Sequence, residues 1–162
     1  MQGMQSIFVI SELEDALARD GVRAALALLN GLTSHRFTAL YRFDGKNARN
    51  LYFFDRELPS AEDAGGMDEI PLTVTYCVYV RETGRPFVIQ DALEDDRLVN
   101  HPSRCSIQAY CGVPLTDAEG LTFGTMCHFD FRPVPLDESH VELMESLGPL
   151  LVRRDKKPAQ AR

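Results

Sequence analysis

Apolar and polar positions alternate and cycle along this chain in a readable order. Ser11-Glu12-Leu13-Glu14 has the spacing of a capping box and predicts a helix start, with Leu13, Ala16 and Leu17 opening an apolar stripe. Asp20-Gly21 interrupts the stripe, and Val22 to Leu29 is apolar nearly all round, as a buried second helix would be. Asn30-Gly31 stops it. Phe37 to Phe43 then alternates strictly and predicts a strand. The turn residues 44–47 and a second strand over Asn50 to Phe54 complete an antiparallel hairpin. Residues 59–68 read as a loop. Thr73 to Glu82 follows Pro71 and predicts a helix, Pro86 to Gln90 a short strand. Asp91 to Arg104 reads as a long loop with a helical turn near residues 95–100. Ser106 to Leu115 and Leu121 to Phe131 form two longer strands around Asp117–Gly120, and Asp137 to Val152 a closing amphipathic helix. Hairpins with segregated helices predict an α+β fold built on an antiparallel sheet.

Length changes this picture little: 162 residues make one domain with room for a real core. Charge changes it more. The chain carries −7, but residues 153–162 hold five basic groups and one acid, so the body carries 12 basic and 23 acidic groups, a net −11. Such a body is a poor partner for nucleic acid, whose phosphates need a basic face. The tail is expected to be a solvated, disordered end; docking on an anionic surface is its other reading. No apolar run approaches the roughly 18 residues of a membrane span, and Met1 to Ile10 lacks the pattern of a signal peptide. A cytoplasmic protein with no membrane contact is expected. Residues 1–10 are read as an N-terminal extension, 11–152 as the domain. Cys77, Cys105, Cys111 and Cys127 contain no C-x-x-C pair, which predicts thiols rather than a structural zinc site.

The segment from Tyr76 to Leu151 resembles a GAF domain. The resemblance is carried by Thr75-Tyr76-Cys77, by Gly84 to Ala92, by Asp95-Asp96-Arg97-Leu98 and by Asn100-His101-Pro102. It continues in Tyr110-Cys111-Gly112-Val113-Pro114-Leu115, in Gly124 to Asp130 and in Leu136 to Leu147. The pattern is similar to that of GAF domains beside sensor histidine kinases and diguanylate cyclases, with Leu98 where that subgroup has Phe and Met126 where it has Leu. The hairpin from Arg36 to Asp44 fits the family's first strand. The resemblance implies a GAF/PAS-like sheet of five or six antiparallel strands in the order 2-1-5-4-3. Terminal helices would pack on one face, and loops would roof a small-molecule pocket on the other. It implies a sensor or dimerising regulatory module, and leaves the ligand unnamed because GAF ligands are diverse.

Several residues are candidates to line that pocket. Asp96, Arg97 and His101 lie in the long loop with Asp91 and Asp95. Arg97 either pairs with an anionic group or pins the loop through a carboxylate fork; His101 either contacts ligand or holds the loop. Gln108, Tyr110 and His128 are the polar members of the last two strands, as ligand contacts or as hydrogen-bonding groups of a half-buried sheet. Periodicity alone does not say which sheet face lines the pocket. Tyr76, Cys77 and Cys105 complete the set, core packing being the other role of Cys77.

Three sharper chemistries were weighed. Cys127-His128 has the dipeptide of a bilin attachment site but falls in a strand. Cys77 and Cys105 fall near cysteine positions of the free methionine-(R)-sulfoxide reductases, whose chemistry needs a thiolate and a resolving thiol. The flanking glycines and the "G-H-I-A-C" run of that family are missing. Metal binding by His101 and Cys105 meets Pro102 between them. No phosphate-binding glycine loop or nucleophile elbow occurs. The leading expectation is a non-catalytic module that dimerises through Ser11 to Leu29 and Asp137 to Val152 and acts on a signalling partner in another chain. A thiol reductase and a purely structural dimerisation module are the alternatives.

Overall fold

The structure is a computed structural model that describes residues 2–60 and 69–154. Helices α1 (Gln2–Asp20) and α2 (Val22–Asn30) lead into strands β1 (Phe37–Asp44) and β2 (Asn47–Asp55). A short strand β3 (Glu69–Pro71) and a 3-10 turn precede helix α3 (Cys77–Thr83) and strand β4 (Phe87–Ile89). Two more 3-10 turns, Ala92–Glu94 and Asp96–Leu98, lie in the long loop. Strands β5 (Ala109–Thr116) and β6 (Thr122–Asp130) and helix α4 (Glu138–Arg154) complete the chain. Among the described residues no helix is long and apolar enough to cross a membrane. The basic segment 155–162 lies outside the described residues.

The six strands form one antiparallel sheet in the order β3-β2-β1-β6-β5-β4. The α+β class stands, and the order differs from the predicted 2-1-5-4-3 in one detail: β3 is added at the edge beside β2. Three residues ending in Pro carry no alternation to read, and the strand exists because it pairs with Asn47 to Arg49.

Two helices also depart from prediction. Ser11 is an interior residue of α1 and caps nothing. The capping-box spacing is equally at home inside a helix, and no Gly or Pro separates Met4 from Asp20. The supposed extension is therefore the first half of α1. Helix α3 begins at Cys77 rather than Thr73. Its predicted first turn is a 3-10 turn over Leu72–Val74 followed by extended Thr75, in a run of β-branched residues that resist the α conformation.

The sheet separates two cores. On one face Leu40, Cys111, Val113, Leu115 and Met126 pack against Leu13, Leu17, Leu26, Leu29, Met144, Leu147 and Leu151 of the terminal helices. On the other, Phe37, Ala39, Phe53, Tyr110 and Cys127 pack beneath Tyr76, Cys77, Val80, Ile89 and Leu98. Strand alternation dictates the split, because neighbours along a strand face opposite ways.

The break between α1 and α2 is a backbone device. Gly21 sits at φ 99°, ψ −178°, a region that only glycine enters at low cost, and a Cβ there would meet nothing. Gly21→Ala is therefore expected to destabilise the fold through strain alone, by about 1–3 kcal/mol; urea unfolding of the two proteins measures it.

Candidate functional site

The roof over the second sheet face is built from α3 and the loop between β4 and β5. The loop is held by its own polar groups. Arg97 forks onto Asp95, with Nε 2.9 Å from Oδ1 and Nη2 2.6 Å from Oδ2, and Nη2 also donates to the Val88 carbonyl at 2.8 Å. The fork holds the Asp95 carboxyl below its usual range, and the guanidinium lies over the Phe87 ring. Arg97 therefore pins the loop. His101 does likewise. Its Nδ1 accepts from the Ser103 N–H at 3.1 Å, which leaves the proton on Nε2 to donate to the Thr75 carbonyl at 3.0 Å. Burial lowers its pKa, as suits a neutral ring.

Beneath the roof, Tyr76, Cys77, Tyr110 and Cys127 pack in one buried cluster. Tyr76 is buried, donates to the Ile107 carbonyl at 2.7 Å and sets its ring tilted against His101 and edge-on to Tyr110. Tyr110 folds back along its strand and donates to Cys77 Sγ at 3.3 Å. Glycine at 112 permits this, since a Cβ there would meet the Tyr110 hydroxyl and ring. Cys77 Sγ also lies 3.2 Å from Thr125 Oγ1, and Cys127 packs in the same buried cluster. The neighbouring Cys127 foremost, then Thr125 and Tyr110, hold the Cys77 thiol down to about 7 against the opposing effect of burial. The neighbouring Cys77 and burial hold Cys127 well above the ordinary range.

A cleft of about 380 Å³ runs between α3 and the loop, lined by Val78, Tyr79, Glu82, Asp96, Asn100 and His101 among others. Asp96 and Arg97 thus reach the cleft, Cys105 is exposed farther along the loop, and Gln108 turns its amide toward the Cys105 carbonyl at 3.5 Å.

The sequence model of the GAF domain matches residues 16–153. The chain belongs to the GAF domain family. A cyclic di-GMP phosphodiesterase of Pseudomonas aeruginosa is 33% identical over 95 residues, 55% of this chain, and the match spans only 16% of that protein. The GAF domain of an Acinetobacter phosphoenolpyruvate-protein phosphotransferase superposes with a TM-score of 0.72 at 10% identity, covering 93% of this chain and 92% of that one. Free methionine-R-sulfoxide reductase of Neisseria meningitidis superposes with a TM-score of 0.71 at 17% identity, covering 95% and 90%. At these identities the two structures establish the fold alone.

One predicted site residue of this GAF domain belongs elsewhere. His128 points to the terminal-helix face, opposite Tyr110, because Tyr110 pairs with Phe129 and Cys111 with His128. There it joins a buried polar seam. Asn30 Nδ2 donates to Thr38 Oγ1 at 2.8 Å, and Thr38 Oγ1 shares a hydrogen bond with His128 Nδ1 at 2.7 Å. His128 Nε2 and His140 Nε2 share another at 2.9 Å. His35 stacks on His128 at 5.5 Å and hydrogen-bonds Thr33 at 2.6 Å. Three of the chain's four histidines thus meet where α2, β1, β6 and α4 converge. Sequence reasoning missed His35 and His140, which are 105 positions apart in the chain and share no motif. Thr125 was likewise missed, although it shares a strand face with Cys127. Among the described residues no group of three or more His, Cys, Asp or Glu is arranged to hold a metal ion.

Burial keeps the seam neutral: it lowers His35 to about 4, His140 below 6.5 and His128 well below it. Each folded pKa lies under the unfolded value, so the unfolded chain binds more protons in acid. The seam's contribution is complete above about pH 6.5 and is lost as pH falls toward the folded values. By about pH 4.5 His35 alone accounts for on the order of 2.5 kcal/mol. Asp55 and Asp95 are held below 3.8 and keep their contributions through this window. Urea unfolding at about pH 7.5, 5.5 and 4.5 is expected to show a steep fall; a flat profile contradicts a neutral seam.

Proposed function

We propose that this chain is a non-catalytic regulatory GAF module that responds to a small molecule, dimerises through α1 and α4, and acts on a signalling partner in another chain. The observation that carries the reading is the internal hydrogen bonding of the roof. Tyr76 and Tyr110 donate their hydroxyls to the protein, His101 bonds through both ring nitrogens, and Arg97 commits Nε and Nη2 to Asp95 and Val88, while the cleft beside α3 is open. The small molecule is taken there. With Arg97 engaged by Asp95, the cleft offers the Asn100 amide and the carboxylates of Glu82 and Asp96, which suits a polar or amine-bearing molecule better than an anion.

The dimer surface is the start of α1. Ile7 and Phe8 are 68% and 65% exposed on a helix that packs on α4, beside the terminal-helix core. Exposed neighbouring apolar side chains on one element favour a second copy over water. The partial match to the phosphodiesterase accords with a module that serves larger signalling proteins.

A second reading has one observation in its favour. The Cys77 thiol, beside Cys127, Thr125 and Tyr110, has the electronic setting of a nucleophile. A thiol-dependent methionine sulfoxide reductase would pair it with Cys105, which is exposed on the loop.

Native mass spectrometry of the purified protein is expected to report a dimer, and Ile7→Asp with Phe8→Asp a monomer with an unchanged circular dichroism spectrum. A monomeric wild type defeats the dimer. Sulfoxide turnover with a thiol reductant, lost in Cys105→Ser, defeats the non-catalytic reading in favour of the reductase.

A further inference from the structure

We infer that Cys77 and Cys127 form a reversible disulfide on reaction with a hydroperoxide, tying α3 to the central sheet. The proposal stands on placement. Cys77 opens α3 directly above β6, where its sulfur lies 3.2 Å from Thr125 Oγ1. Thr125 and Cys127 share a face of β6, so their side chains stand side by side under the start of α3. Cys127 packs in the same buried cluster as Cys77, and the Tyr110 hydroxyl reaches the Cys77 sulfur at 3.3 Å. Both thiols are buried, at 2% and 1% exposure, and Cys111 faces the other core. No other cysteine therefore lies on this face of the sheet, and Cys105 is out on the loop.

The surroundings also divide the labour. Cys77 accepts from the Tyr110 hydroxyl and its thiol is drawn toward the thiolate, while the neighbouring Cys77 and burial hold the Cys127 thiol up. The Cys77 thiolate attacks the terminal peroxide oxygen and the O–O bond breaks. Cys77 becomes a sulfenic acid, and the departing alkoxide takes up the proton that Cys77 released. Cys127 then attacks the Cys77 sulfur as it loses its proton. The S–O bond breaks, the S–S bond forms, and the hydroxyl leaves as water with the Cys127 proton. Two thiols are oxidised by two electrons and the hydroperoxide is reduced to an alcohol and water. Burial restricts the reaction to small oxidants. The consequence is conformational, since α3 forms one wall of the cleft.

The test uses the reduced full chain and hydrogen peroxide. Non-reducing peptide mapping is expected to find the Cys77 and Cys127 peptides linked, an intact mass lower by two hydrogens, and reversal by dithiothreitol. Cys111→Ala is expected to keep the link. Cys127→Ala is expected to lose it and to leave a sulfenic acid at Cys77 that dimedone traps. Tyr110→Phe is expected to slow linkage about tenfold at neutral pH and to move its pH midpoint upward, as loss of a donor to the thiolate requires. Oxidation confined to Cys105, or a link from Cys77 to Cys105, overturns the proposal. The mapping on the unsubstituted chain decides this even where a variant does not fold. The outcome is independent of dimerisation, and a link from Cys77 to Cys105 is the result that the reductase reading expects, so the mapping separates the two.

Discussion

The pairing of β1 with β6 makes one sheet out of two hairpins that lie some seventy residues apart in the chain. Phe37 opposite Phe129 through Arg42 opposite Gly124 is the ladder that joins them. Each hairpin alone has one edge unpaired and one apolar face uncovered, and a two-stranded ribbon is marginal in water. Once joined, β1 and β6 become interior strands. Their alternation then projects Leu40 and Met126 toward the terminal helices, and Ala39 and Cys127 toward α3. Both cores exist because this one ladder has this register; a shift by one residue would exchange the faces.

The same register explains why neighbouring polar residues have unrelated roles. Cys127 and His128 are adjacent in sequence, yet one faces the sulfur of Cys77 and the other the ring of His140. The thiol pair and the histidine seam stand back to back through the thickness of a single strand. Each is built of partners that the chain brings from far away, and each is satisfied internally, as buried polar groups must be. The polar side chains around them act as fasteners: Arg97 and His101 lock the loop, and Asn30, Thr38 and His140 lock the helices. At the rim, the cleft beside α3 is open and the start of α1 exposes Ile7 and Phe8.

Helix α3 has one wall in the cleft and its first residue in the thiol cluster. A change at either place is felt by the same seven-residue helix, which is short enough to depend on packing rather than on its own hydrogen bonds.

The resemblance of ordered motifs to a GAF domain, with the period-two strands and the helix stop at Asn30-Gly31, was legible in the sequence and carried the fold class. Those features are local, and local periodicity reports an element wherever burial enforces it. Strand β3 was not legible because it has no pattern apart from its partner, and the start of α1 was misread because a capping box is only a spacing. For the site, the sequence by itself identified Arg97 as a loop pin in one of its two readings and offered Cys77, Tyr76 and Tyr110 as neighbours. Only the tertiary structure decided that Tyr110 and His128 face opposite ways, that Cys77 meets Cys127 rather than Cys105, and that His35, His128 and His140 converge. The physical reason is that alternation sorts residues into two faces without labelling them, and the labels come from which strand edges meet and which helices cover them.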